Sequence, residues 1–508
     1  MSNLKYGFYI NSWINRSSVR PIPNNHRSAL QNQEVVTSKI TKDIEKGHIL
    51  GPFQSPPPNT IFSPIGLVPK KELNQFRLIH DLSYPSGSSI NDFIPPASSY
   101  VSYETFDDFV SILLSLPEGA LMAKADIKAA FRNLPINPSD YDLLGFHWKG
   151  KYYLDKRMPM GASSSCSAFE SLSTAIQWIL NQFGVKDVTH ILDDFMFLGP
   201  PDDNTTLSSL KFFLLLMEYL YIPINHDKTF YPSTQIIVHG IFVDSTLGKA
   251  SLPLDKLNNL LQRLQVLIHK RSVILRELQS ILGLLNFACR VIRPGRAFSQ
   301  RLINLTIGTS NPNHHIRLTS EAKNDISIWL QFLAHFNGTS LLLDLQWKTS
   351  QHLHLFSDAS LKGFGVVFSG EWAWGPWLGS LSVNHHITVL ELYPIVLSVL
   401  LWGDSLSNSC VEFHSDNSAV VDILNKQSSK HPVIMTLVRI FVLKCLQLNI
   451  YFRLRHIPGM YNIVPDLLSR LQVSEAQDLA PYLHPEPATI PPHWQLSRLL
   501  QDNCYNQL

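Results

Sequence analysis

The sequence predicts an α+β protein of several domains, and three observations support this. The chain has 508 residues, 45% hydrophobic and 16% charged, which exceeds one ordinary core and fits about three domains. Strand-like apolar runs alternate with helical stretches between about residues 120 and 245. A second α/β pattern runs from His352 to Arg470. The predicted boundaries are a flexible arm over 1–34, a sheet domain over 35–250, a helical region over 251–345, a second α/β domain over 346–472 and a Pro-rich tail or linker over 473–508.

Charge and cysteine content restrict the class of protein. A formal net charge of +2 gives no overall attraction to polyanions, so nucleic-acid contacts must come from local clusters of Lys and Arg. The five cysteines lie far apart without CxxC spacing, which disfavours a zinc site and a disulfide framework. No signal-peptide core or membrane-spanning run is apparent. We therefore expect a soluble, intracellular protein, cytoplasmic or nuclear, that does not bind a membrane.

The first elements are predicted from turn residues and apolar spacing. Residues 1–34 are polar, and Pro21 and Pro23 disfavour a helix there. Helical spacing follows from residue 34 to 49, and then a Pro-rich loop. Two strand candidates, Pro64 to Pro69 and Phe76 to Leu82, are joined by the polar segment KKELNQ. This pattern predicts a β-hairpin with a basic tip that can reach over a ligand.

The region 251–335 is helical by pattern and contains the basic cluster that the net charge conceals. Between positions 251 and 301 the sequence has nine Lys and Arg residues but only two acidic residues, Asp255 and Glu277. Such helices can bind the phosphate groups of a nucleic acid without recognising its base sequence. A solvated basic face of a helical spacer is the alternative.

Three aspartates give the first candidate site. Asp126 ends the apolar run LMAKAD, and Asp193 with Asp194 lies between two apolar runs. Adjacent carboxylates at the tip of an apolar hairpin repel each other and lose hydration, so a cation should compensate them. Mg²⁺ prefers such oxygen ligands. Two ions roughly 3.5–4 Å apart stabilise the attacking oxygen and the leaving oxygen in phosphoryl transfer. An isolated Asp-Asp pair is also typical of a turn or helix cap.

Four acids give the second candidate site. Asp358 ends an alternating strand, Glu391 lies in an apolar helix, Asp416 follows VEFHS and Asp466 lies in IVPDLLSR. Each acid adjoins an apolar element. A single Glu between Leu390 and Leu392 is equally consistent with an exposed helix face.

Four segments resemble the palm motifs of reverse transcriptases and occur in the same order: KADIKAAF, MPMGASSS, ILDDF and NHDKTF. SPIGLVPKKELNQFRLIHDLS is similar to the fingers hairpin of these enzymes, and IIVHGIFVD resembles their primer grip. The resemblance covers roughly residues 35–305. It implies a right-hand polymerase fold with fingers, palm and thumb.

The resemblance also implies roles for individual residues. Asp126, Asp193 and Asp194 would hold the metals, and Lys228 would protonate the pyrophosphate leaving group. The expected nucleotide-binding residues are Lys70, Arg77, Phe131, Met160 and Gly161, and the expected primer-grip residues are His239 and Gly240. Without the motifs, Phe131 would be interpreted as a core residue, and Lys70, Arg77 and Lys228 as ordinary charged residues on the surface. The chain departs from the family at Ile191, where an aromatic residue is common, and at Met160, where Gln or an aromatic residue is common.

The segments SDASLKGFGVVF, LEL, HSDNSAVVDIL and RHIPGMYNIVPDLLSR resemble the ribonuclease H domain of retroelement polyproteins. This implies an α/β domain with a mixed five-stranded sheet, in which Asp358, Glu391, Asp416 and Asp466 bind two Mg²⁺. His456 would assist turnover, and Asn462 would contact substrate or fix a loop. Pro465 stands where relatives have a small residue, but Pro is tolerated in a first helical turn.

Together the resemblances imply an enzyme that copies RNA into DNA and hydrolyses the RNA strand of the hybrid. Its expected partners are an RNA template, a DNA primer, the RNA–DNA hybrid and dNTPs, with two Mg²⁺ per active site that Mn²⁺ can replace. The residues expected to grip nucleic acid are His239, Gly240, Arg263, Lys270, Arg271, Arg290, Arg293, Arg296 and Asn462. The oligomeric state is left open.

Two segments, LRELQSILGLLNFACRVIRPGRAF and GPFQSPPPNTIFSPIGLVPKK, look most like DIRS-type retrotransposons, with gypsy-like LTR elements as the alternative. Two other functions compete with the enzyme. One is a decayed or host-adopted copy that binds nucleic acid without catalysis, and the other is a ribonuclease H whose N-terminal part is only a scaffold.

Overall fold

The computed structural model describes residues 2–17, 20–69, 75–335, 339–341, 347–379 and 381–500. The chain divides into two compact units, Met1–Ile236 and Ile237–Leu508, which are described separately below. Strands and helices are numbered in chain order.

The first unit is built from nine strands and seven helices within the described residues. The strands are β1 Ile49–Phe53, β2 Ile65–Pro69, β3 Phe76–His80, β4 Leu121–Asp126, β5 Gly145–Trp148, β6 Lys151–Asp155, β7 Val188–Ile191, β8 Asp194–Gly199 and β9 Phe230–Ser233. The helices are α1 Ser2–Tyr6, α2 Arg27–Gln31, α3 Gln33–Glu45, α4 Pro96–Ser99, α5 Phe106–Ser115, α6 Ser165–Gln182 and α7 Thr205–Tyr219.

An antiparallel sheet in the order β7-β8-β4-β9 forms the centre of the first unit. Small side chains let β4 lie within the core, since Ala123 and Ala125 are fully buried beside Phe195 and Phe197 of β8. The predicted strands LMAKAD, VTHILDD and FMFLG and the two predicted helices between residues 162 and 220 are confirmed. The core therefore carries Asp126 and Asp194 to the same end of the sheet.

The predicted hairpin is confirmed, since β2 and β3 pair in antiparallel register from Ile65↔His80 to Pro69↔Phe76. Its tip, residues 70–74, lies outside the described residues. A three-stranded sheet in the order β1-β6-β5 completes the first unit.

The N-terminal residues do not form the flexible arm that the sequence predicts. Phe8, Ile10 and Ile14 are buried in the core of the first unit. The Phe8 amide donates to the Pro135 carbonyl at 2.8 Å. The Arg16 guanidinium pairs with the Asp140 carboxylate at 2.7 Å. The arm prediction is therefore wrong for this part of the chain, because long-range contacts secure a segment that has no strong local periodicity.

The second unit contains the remaining elements. The strands are β10 Gln235–Val238, which begins just before the unit boundary, β11 Ile241–Asp244, β12 Lys249–Ser251, β13 Ser272–Ile274, β14 His315–Arg317, β15 Thr339–Leu341, β16 Trp347–Thr349, β17 Phe356–Ala359, β18 Gly363–Phe368, β19 Glu371–Pro376, β20 Ser409–Ser415 and β21 Ile450–His456. The helices are α8 Leu254–His269, α9 Leu275–Ala288, α10 Gln300–Asn304, α11 Ser320–His335, α12 Ser350–Leu353, α13 Leu381–Asn384, α14 Ile387–Trp402, α15 Ser418–Lys426, α16 Pro432–Gln447, α17 Ile463–Ser469, α18 Val473–Leu479 and α19 Leu496–Leu499.

The region from 251 to 335 is mainly helical, as predicted, but β13 and β14 pair as a short antiparallel ladder within it. A buried ion pair joins α11 to α16, with the Arg439 guanidinium 2.9 Å from the Asp325 carboxylate. Arg301 reaches the other oxygen of the Asp325 carboxylate at 3.2 Å. Two cations therefore compensate one buried acid.

The later strands form two three-stranded sheets, antiparallel β17-β18-β19 and parallel β16-β20-β21. Strands β17 and β20 are neighbours without a paired register between them. The five expected strands are all present, but they do not form the single mixed five-stranded sheet that the sequence predicts, because β16 is additional and the strands divide into two sheets. The first expected strand begins at Phe356 rather than near residue 352, because α12 occupies residues 350–353.

Helix α14 and the turn after it are long and apolar enough to qualify as a membrane span by composition. Within the described residues this stretch, Ile387–Leu406, is the single candidate, and 78% of its most apolar 18 residues are buried inside the protein. It packs against α16, β17 and β18, as a core helix does.

The C-terminal segment also differs from the expected tail. Ala476, Ala480 and Leu483 are buried against Trp372 of β19. The Trp372 indole donates to the His484 carbonyl at 2.8 Å, and the Ala488 amide donates to the Trp372 carbonyl at 2.7 Å. This segment therefore packs within the second unit and contacts the edge strand β19, so the prediction of a free linker is wrong for these residues.

Candidate active sites

The first acidic cluster, Asp126, Asp193 and Asp194, forms at the end of β4 and at the β7–β8 hairpin. Asp126 and Asp194 are register partners across the β4–β8 pair. Ile191 and Asp194 pair across the hairpin, so Leu192 and Asp193 form a two-residue turn. The Ile127 amide donates to the Asp193 carbonyl at 2.9 Å, which ties this turn to the end of β4.

Two lysines compensate the first acidic cluster. Lys124 Nζ lies 2.5 Å from Asp194 Oδ2, and Lys228 Nζ lies 3.1 Å from Asp126 Oδ1. Burial raises the pKa of Asp193, and the negative charge of Asp126 raises it further. Burial also raises the pKa of Asp194, although Lys124 opposes this effect. Hard oxygen donors such as these carboxylates are suited to a divalent cation such as Mg²⁺. Among the described residues, however, the oxygens of Asp126, Asp193 and Asp194 do not form a group within 4.8 Å of one another.

The expected nucleotide-binding residues lie in different settings. Phe131 is half-buried and packs edge-on against Phe169, with ring centroids 5.7 Å apart. Met160 is 40% exposed. A β carbon at Gly161 would lie 1.9 Å from the His80 carbonyl oxygen, so only glycine fits there. Arg77 is exposed on β3, and Lys70 lies outside the described residues.

The second acidic cluster consists of Asp358 on β17, Glu391 on α14 and Asp416 after β20. Each offers a carboxylate oxygen within 4.8 Å of the others. Burial raises the pKa of Glu391 to about 9, and Asp358 and Asp416 add to this rise. Burial raises the pKa of Asp358 to about 7, and Asp416 again contributes. These oxygen donors and their mutual repulsion fit a site for divalent cations.

The fourth predicted acid, Asp466, lies outside that 4.8 Å group. Its Oδ1 accepts a hydrogen bond from Arg470 at 2.8 Å. It is nevertheless near enough for its charge to raise the pKa of Glu391 and Asp358. Pro465 is buried in α17, and the helix continues through it, as expected.

Asn462 and His456 both lie beside the second acidic cluster. The buried Asn462 amide donates to the Ser357 carbonyl at 2.9 Å. His456 is exposed, and its Nε2 lies 2.9 Å from the Asp416 carbonyl oxygen. Both side chains therefore contact residues that carry or adjoin the acids.

Sequence reasoning missed several side chains that contact the two clusters. Ser469 Oγ donates to Asp358 Oδ2 at 2.7 Å, and Lys124 pairs with Asp194. Glu170 and Ser173 of α6 bond to the backbone of Leu192 in the β7–β8 turn. The available signal was weak: Glu170 is an acid beside Phe169 and near Leu172 in a half-apolar helix.

The predicted nucleic-acid contacts in the second unit lie on the β10–β11 turn, on α8, in the segments that follow α8 and α9, and in the short 3-10 helix Arg293–Phe298. His239 and Gly240 form the β10–β11 turn with φ of 48° and 78°. Lys256 Nζ donates to the Gly240 carbonyl at 3.0 Å and lies 4.0 Å from the centre of the Phe287 ring. This lysine therefore braces the turn.

The predicted basic residues of this unit differ in exposure. Arg263 donates to Ser280 Oγ at 3.0 Å, and Lys270 pairs with Glu277 at 2.8 Å. The exposed residues are Arg271, Arg290 and Arg296. The side chain of Arg293 lies outside the described part of the chain.

No protein-family model matches the chain, but individual viral polyproteins do. It is 23% identical over 326 residues to the Gag-Pro-Pol polyprotein of Simian retrovirus SRV-1, which covers 61% of this chain and 16% of that protein. It is 26% identical over 231 residues to the Pro-Pol polyprotein of Simian foamy virus type 1, which covers 45% and 18%. It is 29% identical over 197 residues to Protein P of Duck hepatitis B virus, covering 38% and 24%. The chain thus spans less than a quarter of the length of each of these relatives.

Solved structures of the foamy viral protease-reverse transcriptase are similar in fold. One, in complex with double-stranded DNA, gives a TM-score of 0.51 at 19% identity and covers 87% of each chain. Another, in complex with an RNA/DNA hybrid, gives a TM-score of 0.50 at 17% identity and covers 95% of this chain and 58% of that one. The predicted fold class, a right-hand polymerase followed by a ribonuclease H-like domain, is confirmed.

Proposed function

We propose that the chain is an RNA-directed DNA polymerase that also hydrolyses the RNA strand of RNA–DNA hybrids. The observation that carries this proposal is the first acidic cluster, in which Asp126 and Asp194 are paired across β4 and β8 and Asp193 lies in the adjoining turn. This arrangement occurs in a chain whose fold is that of solved reverse transcriptases.

In the polymerase site, Asp126, Asp193 and Asp194 would hold two Mg²⁺, or Mn²⁺ in their place. Such ions stabilise the attacking and leaving oxygens during nucleotidyl transfer. Lys228 is mostly exposed and within hydrogen-bond reach of Asp126, so its ammonium can deliver a proton to the departing pyrophosphate.

The remaining polymerase residues bind and select the incoming dNTP. We assign Lys70 and Arg77 to the triphosphate, because a compact ammonium and a planar guanidinium bind phosphate oxygens in complementary ways. We assign Phe131, Met160 and Gly161 to the sugar and base. The edge-on contact between Phe131 and Phe169 supports a role for Phe131 in excluding a 2′-hydroxyl.

In the ribonuclease H site, Asp358, Glu391 and Asp416 would hold the metals, and Asp466 would join them from α17. Ser469 and Asn462 orient Asp358 through hydrogen bonds of 2.7 and 3.5 Å. His456, exposed beside Asp416, is placed to assist release of the cleaved strand.

The partners of this activity are an RNA template, a DNA primer, their hybrid and dNTPs. Exposed Arg271, Arg290 and Arg296, together with Arg263, Lys270 and Arg293, would contact phosphates of the hybrid. His239 and Gly240 would contact the primer strand. Phosphate contacts of this kind bind without sequence preference and weaken with salt.

Primer extension on a poly(rA) template with Mg²⁺ tests the first activity. We expect extension by the wild-type chain and none by the Asp193→Asn/Asp194→Asn double variant. Hybrid cleavage tests the second activity, and Asp416→Asn should abolish it while extension continues. Equal extension by the wild type and the double variant would instead favour a decayed copy that only binds nucleic acid. Cleavage without any extension would favour a ribonuclease H with a scaffold.

We also propose that the chain comes from a DIRS-type retrotransposon and acts inside the cell. The segments around residues 275–298 and 51–71 support the element type. Cys166, Cys289, Cys410 and Cys445 form no disulfide bond with one another within the described residues, which suits a reducing compartment. The downstream reading frame tests the element type, because a recombinase there supports it and an integrase favours a gypsy-like element.

A further inference from the structure

The turn that carries Asp193 has an unfavourable backbone conformation. Leu192, the first central residue of this two-residue hairpin, has a φ of +52°. Turns of this kind favour Gly, Asn or Asp at positive φ, because the β carbon of other residues crowds the backbone. Such a conformation persists where surrounding contacts impose it.

Helix α6 supplies those contacts through two side chains. Glu170 Oε2 accepts a hydrogen bond from the Leu192 amide at 3.0 Å. Ser173 Oγ donates to the Leu192 carbonyl at 2.7 Å. Both side chains belong to buried residues. Both backbone polar groups of Leu192 are therefore bonded to side chains of one helix.

The strand that leads into the turn is fixed by the same network. Strand β7 lies at the edge of its sheet, so its outward backbone groups need partners from outside the sheet. The His190 amide donates to Glu104 at 2.7 Å. Gln177 of α6 donates to the Val188 carbonyl at 2.9 Å and to Glu104 at 3.0 Å.

The His190 ring connects the strand to the helix. Its Nε2 lies 3.3 Å from Glu170 Oε1, and the ring stacks on Phe195 with centroids 5.2 Å apart. Glu170 therefore contacts both the turn and the strand before it.

We propose that Glu170 and Ser173 are positioning residues of the polymerase site. They hold Leu192 in its positive-φ conformation and thereby fix the direction in which Asp193 and Asp194 face Asp126. The inference rests on the proposed polymerase function and deepens it. Both residues act through the Leu192 backbone, and changes to groups that orient metal ligands typically reduce metal affinity or activity by about 10–100-fold.

Steady-state primer extension is the first test. Glu170→Met removes the acceptor at similar volume, and Glu170→Gln keeps one amide oxygen that can accept from Leu192. We expect Glu170→Met to lower kcat by roughly 10–100-fold while KM for dNTP stays close to that of the wild type, and Glu170→Gln to restore most of kcat. Ser173→Ala should lower kcat in the same way and covers the case in which Glu170→Met fails to fold.

The matched control is Ser171→Ala, which removes an exposed hydroxyl of α6 that bonds only to the Ser167 carbonyl. It should leave extension unchanged. Hybrid cleavage by every variant should match the wild type, because its acids lie in the other unit. Two results would overturn the positioning role. One is an equal loss of kcat in Glu170→Met and Glu170→Gln. The other is an unchanged kcat in a folded Glu170→Met or Ser173→Ala variant.

Mn²⁺ binding separates this inference from the proposed function. Calorimetric titration of the full chain carrying Asp358→Asn and Asp416→Asn reports the first acidic cluster. Adding Glu170→Met should weaken Mn²⁺ binding by about 10-fold or more. Unchanged binding overturns the positioning role, and absence of Mn²⁺ binding in the parent overturns the metal site and the positioning role with it. Weakened binding in a chain that extends no primer would uphold the positioning role and remove the polymerase function.

Discussion

The two acidic clusters compensate their like charges in different ways. In the first cluster, Lys124 pairs with Asp194 and Lys228 pairs with Asp126. In the second cluster, no Lys or Arg of the described residues forms an ion pair with Asp358, Glu391 or Asp416. Burial and mutual repulsion accordingly raise the pKa of Glu391 to about 9 and that of Asp358 to about 7.

This difference indicates how the negative charge of each cluster is compensated before a divalent cation binds. In the first cluster, Lys124 and Lys228 supply positive charge beside two of the three carboxylates, and Lys124 opposes the rise in the pKa of Asp194. The second cluster relieves repulsion by retaining protons, which a divalent cation must displace. The stability and the metal binding of the second cluster should therefore depend more strongly on pH than those of the first cluster.

The largest expected effect follows from replacing Glu391 with its neutral counterpart. The pKa of Glu391 is about 9 in the folded chain, which exceeds its value in the unfolded chain. The protonated side chain therefore contributes its full stability to the fold below about pH 4, and this contribution is lost as pH rises towards 9. Glu391→Gln removes this loss. In EDTA at pH 8 we expect the free energy of unfolding to rise by a few kcal/mol, at about 1.4 kcal/mol per pH unit.

Urea denaturation at pH 5 and pH 8 measures this effect. The gain should be small at pH 5 and large at pH 8. Glu475→Gln, an exposed substitution on α18, is the control and should change neither value. An equal effect of Glu391→Gln at both pH values would mean that Glu391 is ionised without metal.

The next effect concerns the Mg²⁺ requirement of the two activities. If Mg²⁺ displaces a proton from Glu391, the Mg²⁺ concentration for half-maximal hybrid cleavage should fall by up to about tenfold per pH unit between pH 7 and 9. The requirement for primer extension should change less, because Lys124 opposes the rise in the pKa of Asp194. Mg²⁺ titrations of both activities at several pH values check this, and parallel curves would contradict it.

Lys124→Met should make the first cluster behave more like the second. Asp194 then loses its cation, so its pKa rises further and the metal-free chain is destabilised. We expect a loss of about 1–3 kcal/mol at pH 8, between the limits for surface and buried ion pairs, and less at pH 5, where Asp194 can be protonated. Urea denaturation at both pH values measures this loss. Lys128→Met, at an exposed position two residues after Asp126, is the control, and equal losses in both variants would argue against a compensating role for Lys124.

The smallest effect is expected from the basic residues outside both clusters. Arg263→Ala and Arg290→Ala should each weaken hybrid binding by less than about 1 kcal/mol and reduce the salt dependence by about one phosphate contact. The Mg²⁺ requirement of each activity should stay the same. Hybrid binding measured at several salt concentrations gives the slope, and an unchanged slope would remove these arginines from the interface.

The sequence predicts the parts of each site that depend on local pattern. Apolar runs on both sides of Asp193 and Asp194 are enough to predict a hairpin, and the alternation before Asp358 predicts its strand. The ordered motifs then place Asp126 with the pair. Hydrophobic burial drives each of these elements, so their patterns are visible in the chain.

The contacts that the sequence does not predict are long-range. Glu170 and Leu192 are 22 positions apart, and Trp372 and His484 are 112 apart. Periodicity carries no information about such pairs. The sequence does not single out Lys124, because one lysine in an apolar strand is typical of the solvated face, whereas Lys124 pairs with Asp194. The packed N-terminal and C-terminal segments were missed for the same reason, since partners distant in sequence bury them.

Crystals of the chain soaked in Mn²⁺ test the existence of two separate metal sites most directly. Anomalous difference density should lie against Asp126, Asp193 and Asp194, and again against Asp358, Glu391 and Asp416. Asp193→Asn/Asp194→Asn should remove the first peak and Asp416→Asn the second. Density at neither cluster, or at only one, would contradict the account.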